Sequence, residues 1–256
     1  MHTSPPHPPP EPARIAKLAL DAAVLVHQSG GDTARTTATL NRAARALGAA
    51  RCDAIVSSLS LGITVCIDGR QETALRRAPH MGVNFRVLSG VERAVNALEA
   101  RRIGPNGFAT LLDDLESYPH YYPAWLVAVL VGFACGAFAA LFHGDLPAVV
   151  ITTLGAALGM RVRQLLAQRH FKPFVFAPAA AFVATLIVGL LKGVTGTPEA
   201  ALAASVLFLI PGVPLINGAA DLLSGSYLNA LVRLTMGAVF VVGLALGMSV
   251  ALRMIP

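Results

Sequence analysis

Apolar positions keep two different periods before residue 120 and merge into long unbroken runs after it. Over 13–28, Ile15, Leu18, Ala22, Leu25 and Val26 recur every three or four residues, which predicts a helix stopped by Gly30-Gly31. A second helix, capped by Asp32 or Thr33, extends to about Leu47. It carries Leu40, Ala43, Ala44 and Leu47 on one face and Arg35, Arg42 and Arg45 on the other. Between Ile55 and Ile67 the period falls to two. Leu59, Leu61, Ile63, Val65 and Ile67 alternate with small polar residues, predicting one or two strands closed by the Asp68-Gly69 turn. A short strand near 84–88 pairs with them in this reading, and helices follow over 90–102 and 106–116. The expectation for residues 13–120 is a small α+β domain, preceded over 1–12 by a disordered, proline-rich tail.

Beyond residue 120 the apolar runs are long enough to cross a bilayer. Five spans are expected, at 124–142, 147–160, 174–191, 200–216 and 234–252; the second is short for a hydrocarbon core of about 30 Å, which leaves an extension past Arg161 or a slanted course open. Tyr118, Tyr121, Tyr122 and Trp125 precede the first run, as amphipathic rings do at headgroup level. The expected fold class is therefore an α-helical polytopic membrane protein of about five transmembrane helices, residues 121–256, with an N-terminal small α+β cytoplasmic domain.

Charge supports that division. Only seven of the 20 Lys+Arg and three of the 14 Asp+Glu (Asp145, Glu199, Asp221) lie after residue 120. The +6 net charge is not a nucleic-acid footprint, because no basic stripe with interleaved aromatics accompanies it. Arg161, Arg163, Arg169 and Lys172 gather between the second and third spans, and Arg233 precedes the fifth. The positive-inside rule then puts the N-terminus in the cytoplasm and the C-terminus outside. Cys52, Cys66 and Cys135 have no CxxC spacing and read as reduced thiols.

No hydrolytic, nucleotide-binding or metal-ligand signature is present, so no cofactor is expected. An enzymatic or sensory reading, with the second half as a membrane anchor, would rest on His80, Asp53, Asp113 and Asp114, which fall in no catalytic spacing. Small residues four apart (Gly132/Gly136, Gly155/Gly159, Gly189/Gly193, Gly243/Gly247) predict close helix packing and an oligomer. The stretch LIPGVPLINGAADLLSG is richer in implied chemistry. Pro211 and Pro214 remove backbone donors and Gly212 loosens the segment, so a broken helix is expected where it lines a cavity. Asn217 and Asp221, four apart, share a face. The alternatives at this stretch are a substrate or proton site and a plain kink. Arg163 and Gln164 are candidates for attracting carboxylates, while Arg161, Arg169 and Lys172 read as topogenic charges that meet anionic membrane lipid.

YPHYYPAWLVAVLVGFACGAF, RQLLAQRH and ASVLFLIPGVPLINGAADLLSG together resemble the bacterial threonine/serine exporter family. Gly-Gly-Asp-Thr at 30–33 and the serines of 57–60 extend the likeness. The resemblance is strongest to the family's short, split form, the YjjP-like inner-membrane subunits. It implies export of succinate together with a second small membrane subunit, with export of threonine and serine as the alternative substrate class. Coupling to the proton gradient is expected. A five-span half paired with an odd-span half of opposite orientation would make an inverted-repeat transporter. Which residues bind substrate is not implied by the resemblance. Pro211, Gly212, Pro214, Asn217, Asp221, Arg163 and Gln164 are candidates on physical grounds alone.

Overall fold

A computed structural model describes residues 11–78, 82–117 and 122–255. His80, Tyr118, Tyr121 and the tail through Pro10 lie outside the described residues. The described chain is mostly helical and divides into two compact units. One joins the residues up to Ser117 with Val213–Leu234, and the other joins the residues from Tyr122 to Gly212 with those from Thr235. Segment 213–234 thus packs with the N-terminal elements.

In the first unit, α1 (Pro12–Gln28) and α2 (Thr33–Ala46) precede a three-stranded antiparallel sheet in the order β1 (Arg51–Val56), β2 (Ser60–Ile67), β3 (Arg70–Arg77). Asp32 caps α2, its Oδ1 accepting from the Arg35 amide at 2.6 Å. β2 is central, and its period of two has a direct cause: Leu61, Ile63 and Val65 are buried in the core that includes α1, while Thr64 and Cys66 face the other side. Asp68 and Gly69 both take positive φ, 49° and 76°, as a two-residue hairpin turn requires.

Two sequence expectations need correction here. The third strand is β3, whose RQETALRR sequence lies almost wholly exposed and so carries no alternation signal. The 84–88 stretch is instead the start of α3 (Phe85–Glu99). Asn84 caps it by accepting from the Val87 amide at 3.2 Å, and Val87, Leu88, Val91, Val95 and Leu98 form its buried face. Arg42 fastens α2 to α3 through Glu92 at 2.7 Å and Glu99 at 2.6 Å. α4 (Pro105–Glu116) closes the core with Phe108 and Leu112.

The second unit holds α5 (Ala124–Leu141), α6 (Leu146–Gln168), α7 (Pro173–Leu190), α8 (Pro198–Ser205) and most of α10 (Tyr227–Met254); α9 (Gly212–Leu223) belongs with the first unit. Four helices, α5, α6, α7 and α10, are long and apolar enough to cross a membrane. The bent pair Pro198–Leu209 with Gly212–Leu223 makes a fifth if counted as one span. Three spans depart from their expected bounds. α6 takes the longer of the two courses open to the second span: it runs 23 residues, past 160, with Arg161 and Arg163 in its last turns. The 200–216 span is interrupted at Ile210-Pro211. α10 begins at Tyr227 rather than 234, running through Asn229 and Arg233; its first turns bury Asn229 and Ala230.

The small-residue pairs pack backbones closely. A Cβ on Gly132 would stand 2.5 Å from the Thr153 carbonyl oxygen, and one on Gly159 would stand 2.9 Å from that of Ala180. Gly243 and Gly247 of α10 lie against Pro178 of α7. Gly193 departs from the pattern, with open space where its side chain would be.

Candidate functional site

α9 and the start of α10 form a hairpin around Gly225, whose φ of 81° suits the tight turn. Both helices turn polar side chains at four-residue spacing toward the loop between α1 and α2. From α9, Asn217 Nδ2 donates to the Gly30 carbonyl at 2.8 Å, and Asp221 Oδ1 accepts from the Thr33 amide at 3.0 Å. From α10, Asn229 Nδ2 donates to Thr33 Oγ1 at 3.1 Å and to the Val56 carbonyl at 2.9 Å. Its Oδ1 accepts from Ser58 Oγ at 3.1 Å. Arg233 donates to the Gly31 carbonyl at 2.9 Å.

Asp221 is 1% exposed, and its Oδ2 lies 3.1 Å from Arg233 Nε. That contact is an ion pair without hydrogen-bond geometry. A buried carboxylate with no counter-charge would be costly, and Arg233 supplies that counter-charge. The Thr33 amide adds a second source of positive potential as one of the first N–H groups of α2. The shared face of Asn217 and Asp221 is therefore present, and its partners are the Gly30–Thr33 turn and α10. The sequence reading missed Asn229 and Ser58 and treated Arg233 only as a topogenic charge. The one local signal was the Asn229/Arg233 spacing just before the apolar run.

The prolines act differently from each other. Pro211 interrupts the chain between a 3-10 turn at Leu207–Leu209 and α9. Pro214 sits in the first turn of α9, where its missing N–H would have had no intrahelical partner. Only Pro211 breaks the helix. Gly212 has no neighbouring atom within reach of a Cβ.

Arg163 and Gln164 lie in the second unit, on α6. The Arg163 guanidinium stacks 5.8 Å from the centroid of the Phe176 ring on α7, which lies 5.9 Å from that of Phe240 on α10. Its polar contact is the Met160 sulfur at 3.6 Å, and among the described residues no carboxylate lies within ion-pair distance of it. Gln164 is committed elsewhere, accepting from Arg161 and donating to the Ala124 carbonyl, both at 2.9 Å.

Of the remaining acids, Asp145 precedes α6 and accepts from Thr195 Oγ1 at 2.5 Å, the Ala148 and Gly196 amides at 2.8 Å and Thr197 Oγ1 at 3.2 Å. These donors, Thr195 foremost, hold its carboxyl down to about 2. Asp53 pairs with the exposed Arg51 at 3.5 Å, and Asp113 and Asp114 lie on α4. Among the described residues, no group of three His, Cys, Asp or Glu side chains is placed to hold a metal ion.

Several long apolar helices joined to a small α+β unit define a multi-pass membrane protein. Residues 17–255 match the sequence profile of ThrE, the threonine/serine exporter family, and the chain belongs to that family. Similar proteins include the probable succinate transporter subunit YjjP of Escherichia coli K12, 33% identical over 241 residues that cover 93% of each chain. The protein of the same name from Klebsiella aerogenes is 31% identical over 247 residues, 95% of each. The probable threonine/serine exporter of Mycobacterium tuberculosis is 25% identical over 244 residues, which are 94% of this chain and 46% of that protein. These are names of transporters. No solved structure matches the chain.

Proposed function

We propose that the chain is one subunit of a two-component exporter of small carboxylates, succinate first among them, in the bacterial inner membrane. Its N-terminus is cytoplasmic and its C-terminus external. The observation that carries the substrate class is Arg163. A guanidinium set among apolar helices with aromatic faces and no acidic partner among the described residues favours a carboxylate ligand, which would pair with it bidentately. Two relatives of nearly equal length are named probable succinate transporter subunits, and the word subunit in those names supports a separate partner. So does the M. tuberculosis relative, of whose length this chain matches less than half.

Threonine or serine is the competing cargo, on the name of that same relative. An amino acid needs an acid for its ammonium group. Asp221 is taken by Arg233 and Asp145 by Thr195 and its neighbours, which leaves Glu199 in the first turn of α8. That distribution favours the dicarboxylate. In the proposed cycle Asp221 takes up the coupling proton when its pair with Arg233 parts, Gln164 holds the Arg163 end of α6 in place, and the break at Pro211 and Gly212 frees backbone groups toward the cargo. Pro214 starts α9, and the polar contact of Asn217 ties that helix to the Gly30 carbonyl.

The test is efflux of labelled succinate and labelled threonine from cells lacking the chain, restored alone or with the small membrane protein encoded beside it. Succinate efflux that needs both proteins and fails with Arg163→Gln is the expected result. Threonine efflux in its place would keep the family and change the cargo. Efflux of neither would remove the proposal.

A further inference from the structure

The hairpin of α9 and α10 is held to the N-terminal elements by polar bonds, and those bonds converge on three residues of one four-residue turn. Gly30, Gly31 and Thr33 receive Asn217, Arg233, Asp221 and Asn229 respectively, the last two through the Thr33 amide and hydroxyl. Asn229 also bridges to Val56 and Ser58 at the end of β1. Every one of these groups is partly or fully buried. Breaking a single bond leaves its former partner unsatisfied, so the bonds are expected to form and break together. Gly30 holds φ at 93°, and a side chain on Gly31 would collide with Val26 at 2.6 Å. On the far side of α9, by contrast, helical continuity ends at Pro211.

From this we infer that Asn229 and Arg233 are positioning residues that make α9 and the Gly30–Thr33 turn one cooperative element, so that α9 cannot leave its place without the N-terminal domain. The inference concerns α9 rather than the cargo. It rests on the exporter reading only in supposing that α9 moves during transport. Under that reading the N-terminal domain is the handle of the broken span, and a ligand that binds the domain more tightly in one position of α9 than in the other biases α9 by that difference in binding free energy.

Amide hydrogen exchange on the full chain in lipid nanodiscs tests the coupling without any substrate. Asn229→Ala and Arg233→Ala should speed exchange in peptides covering 29–36 and 213–226 together, on the order of tenfold or more. The β2 strand should be unchanged. Arg233→Lys, which keeps the charge, should recover part of the protection. Acceleration confined to 213–226, with 29–36 as protected as before, would overturn the inference.

Discussion

Arg233 and Asp221 illustrate how a charge in this chain depends on its partner. The pair is nearly enclosed, with side-chain exposures of 13% and 1%. Truncating either member strands the other, and Arg233→Ala should cost about 3–5 kcal/mol of stability, measured by thermal or denaturant unfolding in detergent. Asp221→Asn keeps the shape and an acceptor for Thr33. It should leave the protein in the membrane while abolishing gradient-driven efflux, and unchanged efflux would dismiss Asp221 as the proton carrier. Asp145 behaves differently, as a half-buried carboxylate held by donors. Its carboxyl titrates near 2 in the fold against an ordinary value of 3.8. The stabilisation is therefore complete above about pH 4 and is lost as pH falls through about 2. Asp145→Asn should remove that part of the acid sensitivity, read as unfolding temperature between pH 5 and 2. The residue chemistry was only half legible beforehand. Asp32 as a helix cap and the common face of Asn217 and Asp221 follow from local spacing. The bonds from Thr33 to Asp221 and Asn229 join residues 188 and 196 apart, and no local pattern encodes such a pairing.

Among the elements, legibility followed burial. β2 was readable because one face is buried and the other is not. β3 was unreadable because its charged residues make no contrast between faces, and only its pairing with β2, from Ser60↔Arg77 to Ile67↔Arg70, defines it. α6 and α10 were each read too short, since a hydropathy window ends at the first charge while helix geometry does not. Close packing gives this scale its prediction. Gly132→Val places a methyl-bearing carbon against the Thr153 carbonyl and should destabilise the α5–α6 pair by about 1–3 kcal/mol, whereas Gly193→Ala should change little. Thermal unfolding of the two variants, side by side in one detergent, makes the comparison.

For the whole molecule, the open question with the largest consequence is whether the bent pair of α8 and α9 crosses the bilayer. Four spans leave both ends of the chain on one side, and five put them on opposite sides. Reporter fusions at the two ends decide this: five spans require a fluorescent cytoplasmic reporter at the N-terminus and an active periplasmic phosphatase at the C-terminus. The same parity governs the partner, which must have an odd span count and the opposite orientation if the pair is to form an inverted repeat.

The unbroken length of α10 adds a further constraint. Twenty-eight residues at 1.5 Å each make a rod about 42 Å long, some 12 Å more than the hydrocarbon of an average bilayer. The surplus suits the turns that carry Asn229 and Arg233, which belong at headgroup depth rather than among acyl chains. Lipids with longer tails would draw those turns toward the hydrocarbon, and shorter tails would leave them exposed to water. Bilayer thickness thereby becomes a control on this protein, acting through hydrophobic mismatch on the turns that anchor the hairpin.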